Sequence, residues 1–132
     1  PEAIPGAVEE ILRFDSSVIH WRRRTTRPVT LSGVAIPAQA DLLVAIGAAN
    51  RDPMVFPDPD RFDIARPNAR DHLSFGGGVH LCLGAPLARL EARVVLEELS
   101  RAVPNLDLVA DQHYEFPPIL GFRGPRSLLV QW

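Results

Sequence analysis

The chain has 132 residues, 46% of them hydrophobic, with a formal net charge of −2 and a pI near 6.1. That balance suits one domain with a modest core, and it argues against a general nucleic-acid binder or a membrane-surface protein. No apolar run approaches membrane-spanning length, the first residues do not resemble a signal peptide, and the single cysteine excludes an internal disulfide. The cytoplasm is the expected compartment.

Ile4, Val8, Ile11 and Leu12 follow helical spacing and predict a helix over residues 4–14, ended by Phe14-Asp15-Ser16-Ser17. Glu9 and Glu10 fall in its middle. Residues 28–36 alternate as a hairpin, with Val29 and Leu31 before Ser32-Gly33 and Val34 and Ile36 after it. The apolar run Leu42 to Ile46 reads as a further strand. Residues 50–72 are rich in Pro, Asp and Arg and show no period. After the flexible stretch Phe75-Gly76-Gly77-Gly78 comes the longest predicted helix, beginning at about Ala85. Pro86 suits its first turn, Ala88, Ala92, Val95, Leu96, Leu99 and Val103 form one apolar stripe, and Pro104 stops it. In the tail, Leu106, Leu108, Phe116 and Leu128 to Val130 suggest short strands returning to a small sheet. Thirteen prolines lie mostly between apolar segments, so much of the chain is expected to be ordered by packing and irregular loops. With no repeat, low-complexity tract or linker, residues 1–132 read as one unit of α+β class, mainly helical with a small sheet.

The chemistry centres on Phe75-Gly76-Gly77-Gly78-Val79-His80-Leu81-Cys82-Leu83-Gly84. A cysteine that ligates a metal must act as a thiolate, which nearby N–H donors and a helix N-terminus favour. A backbone that passes close to a large flat cofactor needs glycines. An aromatic beside the sulfur keeps water away and helps set a redox potential. Phe75, three successive glycines, Cys82, Gly84 and a following helix supply each of these. The plain alternative is a buried, inert cysteine beside a turn, the usual fate of a lone cysteine. His80 and Cys82 lack the second ligand pair that structural zinc requires.

This segment resembles the haem-binding signature of the cytochrome P-450 family, Phe-x-x-Gly-x-basic-x-Cys-x-Gly, and Ala85-Pro86-Leu87-Ala88-Arg89-Leu90-Glu91 is similar to soluble bacterial members. The resemblance implies a haem-thiolate monooxygenase with haem b (iron protoporphyrin IX), Cys82 as the axial ligand to iron, and a long proximal helix after the cysteine loop. Phe75, Gly76, Gly84 and Ala88 are then expected to contact the cofactor. His80 matches the basic position of the signature, and Arg23 in Arg23-Arg24-Thr25-Thr26 matches an arginine that pairs with a haem propionate. Taken alone, Arg22-Arg23-Arg24 reads as a solvated strand edge.

Glu10-Ile11-Leu12-Arg13 carries two charges on one helix face, and by itself such a pair is a solvated surface feature of little energetic value. The family links this Glu-x-x-Arg to a later arginine in Pro-x-Arg-Phe, which Pro59-Asp60-Arg61-Phe62 matches. The resemblance therefore implies a buried structural triad of Glu10, Arg13 and Arg61. Residues 17–21 and 116–120 match stretches that face substrate in relatives, so an apolar small-molecule substrate is implied, although core packing explains them equally well. Dioxygen as co-substrate and a ferredoxin or similar electron donor complete the implied set, with Arg66, Arg70, Arg89 and Arg93 as candidates for a docking ring.

The resemblance covers only the C-terminal part of the family's chain, without the long distal helix and its acid-alcohol pair, and the start on the Glu-x-x-Arg helix looks like a cut. Relatives often have a glycine within Ala38-Gln39-Ala40-Asp41, which puts the local turn in doubt. Two functions stay open: the haem-binding part of an intact monooxygenase, or a truncated, non-catalytic haem-binding or structural fragment. In isolation the chain is expected to self-associate through uncovered apolar groups such as Val18, Ile19, Trp21, Val95 and Leu99.

Overall fold

The computed structural model describes residues 2–132. Helix α1 spans Ile4–Phe14, with a proline in its first turn and the Asp15 N–H closing its end on the Ile11 carbonyl. The helix stands where its period places it, but the buried face is not the expected apolar stripe. Val8 is buried, whereas Ile11 is 43% exposed, and the other inward residues are Glu9, Glu10 and Arg13. Gly6 explains how closely this helix is seated. A Cβ there would lie 2.4 Å from the Ile64 carbonyl oxygen, so the loop crosses directly over the helix backbone.

Strand β1 (Trp21–Arg24) pairs antiparallel with β4 (Asp41–Val44), setting Trp21 opposite Val44 and Arg24 opposite Asp41. Between them, β2 (Val29–Leu31) and β3 (Val34–Ile36) form the expected hairpin. Its two-residue turn, Ser32-Gly33, has φ of 48° and 82°, and left-handed values at both positions match the twist of the flanking strands. Gln39 takes φ 62° at the turn into β4, a place where glycine is the easier residue. The turn is held by Thr25, whose hydroxyl donates to the Pro37 carbonyl and accepts from the Ala40 N–H.

The predicted strand over residues 42–46 is cut short. Strand β4 ends at Val44, and Ile46 opens the short helix α2 (Ile46–Ala49), where its side chain is buried. A short apolar run has no period of its own that could separate these outcomes. In the tail, β5 (Asp107–Leu108) pairs with β6 (Val130–Gln131), while Phe116 lies in no strand. Instead of one small sheet, the described residues hold three separate two-stranded sheets.

Helix α3, Ala85–Ala102, follows the cysteine loop and packs against α1. Its stripe is only half covered: Ala88, Ala92 and Leu96 are half-buried, but Val95 and Leu99 are exposed. Among the described residues the buried apolar set is Val8, Ile46, Phe56, Ala69 and Ala85, whereas Glu9, Glu10, Arg13, Ser16, Thr25, Asn50 and His72 are buried polar groups. The interior is thus mostly polar, and no buried side-chain nitrogen or oxygen among the described residues lacks a hydrogen-bond partner. No helix among them is long and apolar enough to cross a membrane.

Candidate cofactor-binding site

Two adjacent buried glutamates on α1 organise everything around the cysteine loop. Glu10 is bound by both arms of the Arg13 guanidinium, at 2.7 and 2.8 Å, by the Asp63 N–H at 2.8 Å and by Arg66 Nε at 3.2 Å. Arg13 then donates to the carbonyls of Asn50, Pro59 and Arg61, while Arg66 donates to those of Pro57, Asp58 and Arg61. One carboxylate and two guanidiniums therefore gather the irregular 50–66 segment onto α1. Burial pushes the Glu10 carboxyl up, but the bonds from Arg13, the Asp63 N–H and Arg66 hold it below the ordinary carboxylate range.

The triad implied by resemblance is corrected here. Glu10 and Arg13 meet as expected, but the third guanidinium belongs to Arg66, not Arg61. The Arg61 side chain is 71% exposed, and its nearest carboxylate is Asp63 at 3.8 Å. Turns in which Arg61 N–H bonds the Asp58 carbonyl and Arg66 N–H bonds the Asp63 carbonyl aim the Arg61 carbonyl, rather than its guanidinium, into the hub.

Glu9 projects to the other side, toward α3 and the residues before the cysteine loop. Arg89 holds it with two bonds of 2.7 and 3.0 Å, His72 Nε2 lies 3.2 Å away, and Arg70 approaches to 3.7 Å. Burial raises the Glu9 carboxyl, and the bonds and charge of Arg89, with His72 and Arg70 behind it, bring it below the ordinary value. Burial dominates at His72 and holds its proton affinity below the usual range, against the pull of Glu9. The Ser74 N–H points at His72 Nδ1 from 3.2 Å, so the neutral ring carries its proton on Nε2 and donates it to Glu9. Asn50, fully buried, links the same region: its amide donates to Ser74 Oγ and its oxygen accepts from the Leu73 N–H. Ser74 Oγ in turn donates to the Leu12 carbonyl at 2.6 Å.

The cysteine loop stands on this platform. The Cys82 N–H donates to the Phe75 carbonyl at 2.9 Å, and the Cys82 carbonyl accepts from the Ala85 N–H in the first turn of α3. These bonds make 75–82 a closed loop with an exposed thiol at its end. Gly76 and Gly78 have φ of 73° and 65°, left-handed values that few other residues adopt. A Cβ at Gly84 would lie 3.7 Å from Cys82 Sγ, and one at Gly77 or Gly78 would meet nothing. Phe75 lies beneath the Arg89 guanidinium, 4.7 Å from its ring centroid, and beside the His72 ring at 5.8 Å. Cys82, Phe75, Gly76 and Leu81 share a cleft of about 480 Å³ with Arg70 and Arg89.

The remaining expected residues fall as follows. Val79 and Leu83 are each 98% exposed, an open apolar rim on either side of His80 and Cys82, and His80 itself is exposed. Ala88 is half-buried on α3. Arg23 is exposed on β1 and has no carboxylate within salt-bridge distance among the described residues, whereas neighbouring Arg24 is paired with Asp41. The expected docking ring is not one set. Arg66 is buried on Glu10, Arg89 is held by Glu9, and Arg93 is paired with Glu97 on α3, which leaves Arg70 as the exposed guanidinium nearest the cleft. No cluster of three or more His, Cys, Asp or Glu able to hold a metal occurs among the described residues. Asn50, His72, Ser74 and Glu9 were not singled out from the sequence, which offers no periodic or motif signal for any of them.

Comparison with known proteins identifies the family. The model of the Cytochrome P450 family matches residues 4–107. The chain is 51% identical over 111 residues to 6-deoxyerythronolide B hydroxylase of Saccharopolyspora erythraea, covering 84% of this chain and 27% of that protein. It is 45% identical to mycinamicin IV hydroxylase/epoxidase of Micromonospora griseorubida, covering 100% of this chain and 34% of the relative. The heme domain of Acinetobacter radioresistens CYP116B5 superposes with a TM-score of 0.97 at 42% identity, over all of this chain and 32% of that one. The chain thus spans about a third or less of the length of these relatives. It belongs to the cytochrome P450 family.

Proposed function

We propose that this chain is the haem-binding part of a monooxygenase that inserts one oxygen atom from dioxygen into an apolar small molecule. The observation that carries the reading is the exposed Cys82 thiol, fixed between the Phe75 carbonyl and the first turn of α3 and flanked by uncovered Val79 and Leu83. An exposed cysteine beside apolar surface, in a loop where a Cβ at Gly77 or Gly78 would meet nothing, fits a flat apolar cofactor with one sulfur ligand. Haem b, when bound, supplies the dioxygen chemistry, and a thiolate ligand provides electron density that favours O–O cleavage.

This chain's residues divide the remaining work. Cys82 ligates; Phe75, Gly76, Gly84 and Ala88 shape the proximal surface around the sulfur. Arg23, a guanidinium without a carboxylate partner among the described residues, and exposed His80 take the propionates. Residues 17–21 and 116–120 contribute apolar surface to the substrate side. The relatives named a hydroxylase and a hydroxylase/epoxidase support oxygen insertion as the reaction class. A ferredoxin or similar acidic donor would meet Arg70, the exposed guanidinium beside the cleft, and a cytoplasmic setting accompanies that partner.

The test is Cys82→Ser in the full-length protein. An alcohol is far less readily deprotonated than a thiol, so the variant is expected to lose the thiolate-type Soret band of the reduced carbon monoxide complex. An unchanged spectrum would remove Cys82 from the iron. A second reading, a non-catalytic module that self-associates, is favoured by the uncovered Val79, Leu83, Val95 and Trp21. It predicts association of the 132-residue chain in sedimentation and no turnover by that chain.

A further inference from the structure

Two neighbouring glutamates are buried on α1, and only one of them is needed to fasten the 50–66 segment. Glu10 does that through Arg13 and Arg66. Glu9 touches none of those groups; its partners are Arg89 of α3, His72 and Arg70. Two of these partners also hold Phe75, Arg89 over the face of the ring and His72 beside it. Phe75 in turn supplies the carbonyl that accepts the Cys82 N–H at 2.9 Å.

We propose that Glu9 is a positioning residue for Cys82, acting through Arg89 and His72 on Phe75; this rests on the reading of Cys82 as the thiolate ligand. The chain of contacts is short and directional. A guanidinium bound by two parallel bonds to a carboxylate cannot rotate, so its plane stays over the aromatic ring. With the ring held by both groups, the Phe75 carbonyl keeps its direction and the Cys82 amide keeps its bond. Sulfur ligands are tuned by the donors and packing behind them as much as by their own identity. Glu9 is only 4% exposed and Arg89 lies beside the cleft that holds Cys82, so Glu9 acts on the cysteine loop from inside the fold.

The test uses the full-length, haem-loaded protein with Glu9→Gln and Arg89→Lys. Glutamine keeps the shape of Glu9 without its charge, and lysine keeps the charge of Arg89 without the planar fork. Hydrogen exchange is read at the Cys82 amide and, as an internal reference, at the Asp63 amide bound to Glu10. Both variants are expected to lose protection at Cys82 by about tenfold while Asp63 is unchanged. The non-thiolate share of the carbon monoxide spectrum should rise with it. Parallel loss at both amides would mean general destabilisation and would overturn the proposal, as would no change at Cys82. Should Glu9→Gln fail to fold, Arg89→Lys alone decides by the same two amides. If wild type shows no thiolate band, the haem reading has failed, while the amide result still reports on Glu9.

Discussion

The two sides of the cysteine loop are built on opposite terms. Behind it, around Glu9, Glu10, Arg13, Asn50 and His72, the interior is charged and, among the described residues, fully paired. In front, Val79 and Leu83 are apolar and open to solvent. Hydrophobic surface has no geometric demand and can wait for a partner, whereas a buried carboxylate must find its donors within the chain. The internally paired half is therefore the polar half, and the half left open to solvent is the apolar one.

The sharpest way to break the closed side is to remove one partner of the hub. Glu10→Ala leaves the buried Arg13 and Arg66 guanidiniums without their carboxylate and should cost about 3–5 kcal/mol. Arg66→Ala keeps Arg13 on Glu10 but removes the donors to the Pro57, Asp58 and Arg61 carbonyls, and should cost about 1–3 kcal/mol. Arg61→Ala, five residues away, truncates an exposed side chain while keeping its carbonyl, and should stay within about 0.5 kcal/mol of wild type. Chemical denaturation of the three variants checks the contrast, and equal losses at Arg61 and Arg66 would restore Arg61 to the triad.

This pair of arginines also shows where reading the sequence stopped. The cysteine loop was legible because its demands are local: glycines that can adopt left-handed φ, an aromatic, a sulfur and a helix start follow one another within ten residues. Helices α1 and α3 and the Ser32-Gly33 hairpin were legible for the same reason. The hub was not. Glu9 and Arg89 are 80 residues apart, Glu10 and Arg66 are 56 apart, and each charge alone looks like a solvated surface group. A motif match could find Glu10 and Arg13 but placed the third member on the wrong side of a turn. Likewise β4 ended early because burial of Ile46 in α2 outweighed the strand pattern of the run.

A smaller effect is expected where the loop crosses α1. Alanine in place of a helix-interior glycine ordinarily stabilises by about 0.5–1 kcal/mol. At Gly6 the sign should reverse, because the new Cβ would meet the Ile64 carbonyl at 2.4 Å. A loss of about 1–3 kcal/mol from forced displacement is expected for Gly6→Ala, measured by thermal melting.

Acid should loosen the closed side in two stages. His72 in the folded chain binds its proton more weakly than the ordinary value of 6.5, because of burial, so the unfolded chain takes up that proton first. Stability contributed by neutral His72 is present above that value and declines as pH falls through it. Glu9 and Glu10, held below 4.5 by their guanidiniums despite burial, add a second decline once pH falls below that value. A melting-temperature profile from neutral to acidic pH checks both stages, and His72→Gln should remove the first. At the far end of the scale, Arg24→Ala should leave the melting temperature unchanged, since the Arg24–Asp41 pair is well exposed on both sides.

The central claim is that the sulfur on this polar platform is the iron ligand of the open face. Resonance Raman of the ferric, haem-loaded, full-length protein, grown with heavy-isotope sulfur in its cysteines, measures that bond directly. The account predicts an iron–sulfur stretching band that moves to lower frequency with the heavy isotope and is missing in Cys82→Ser. A spectrum without an isotope-sensitive band, or one that survives in Cys82→Ser, would contradict it.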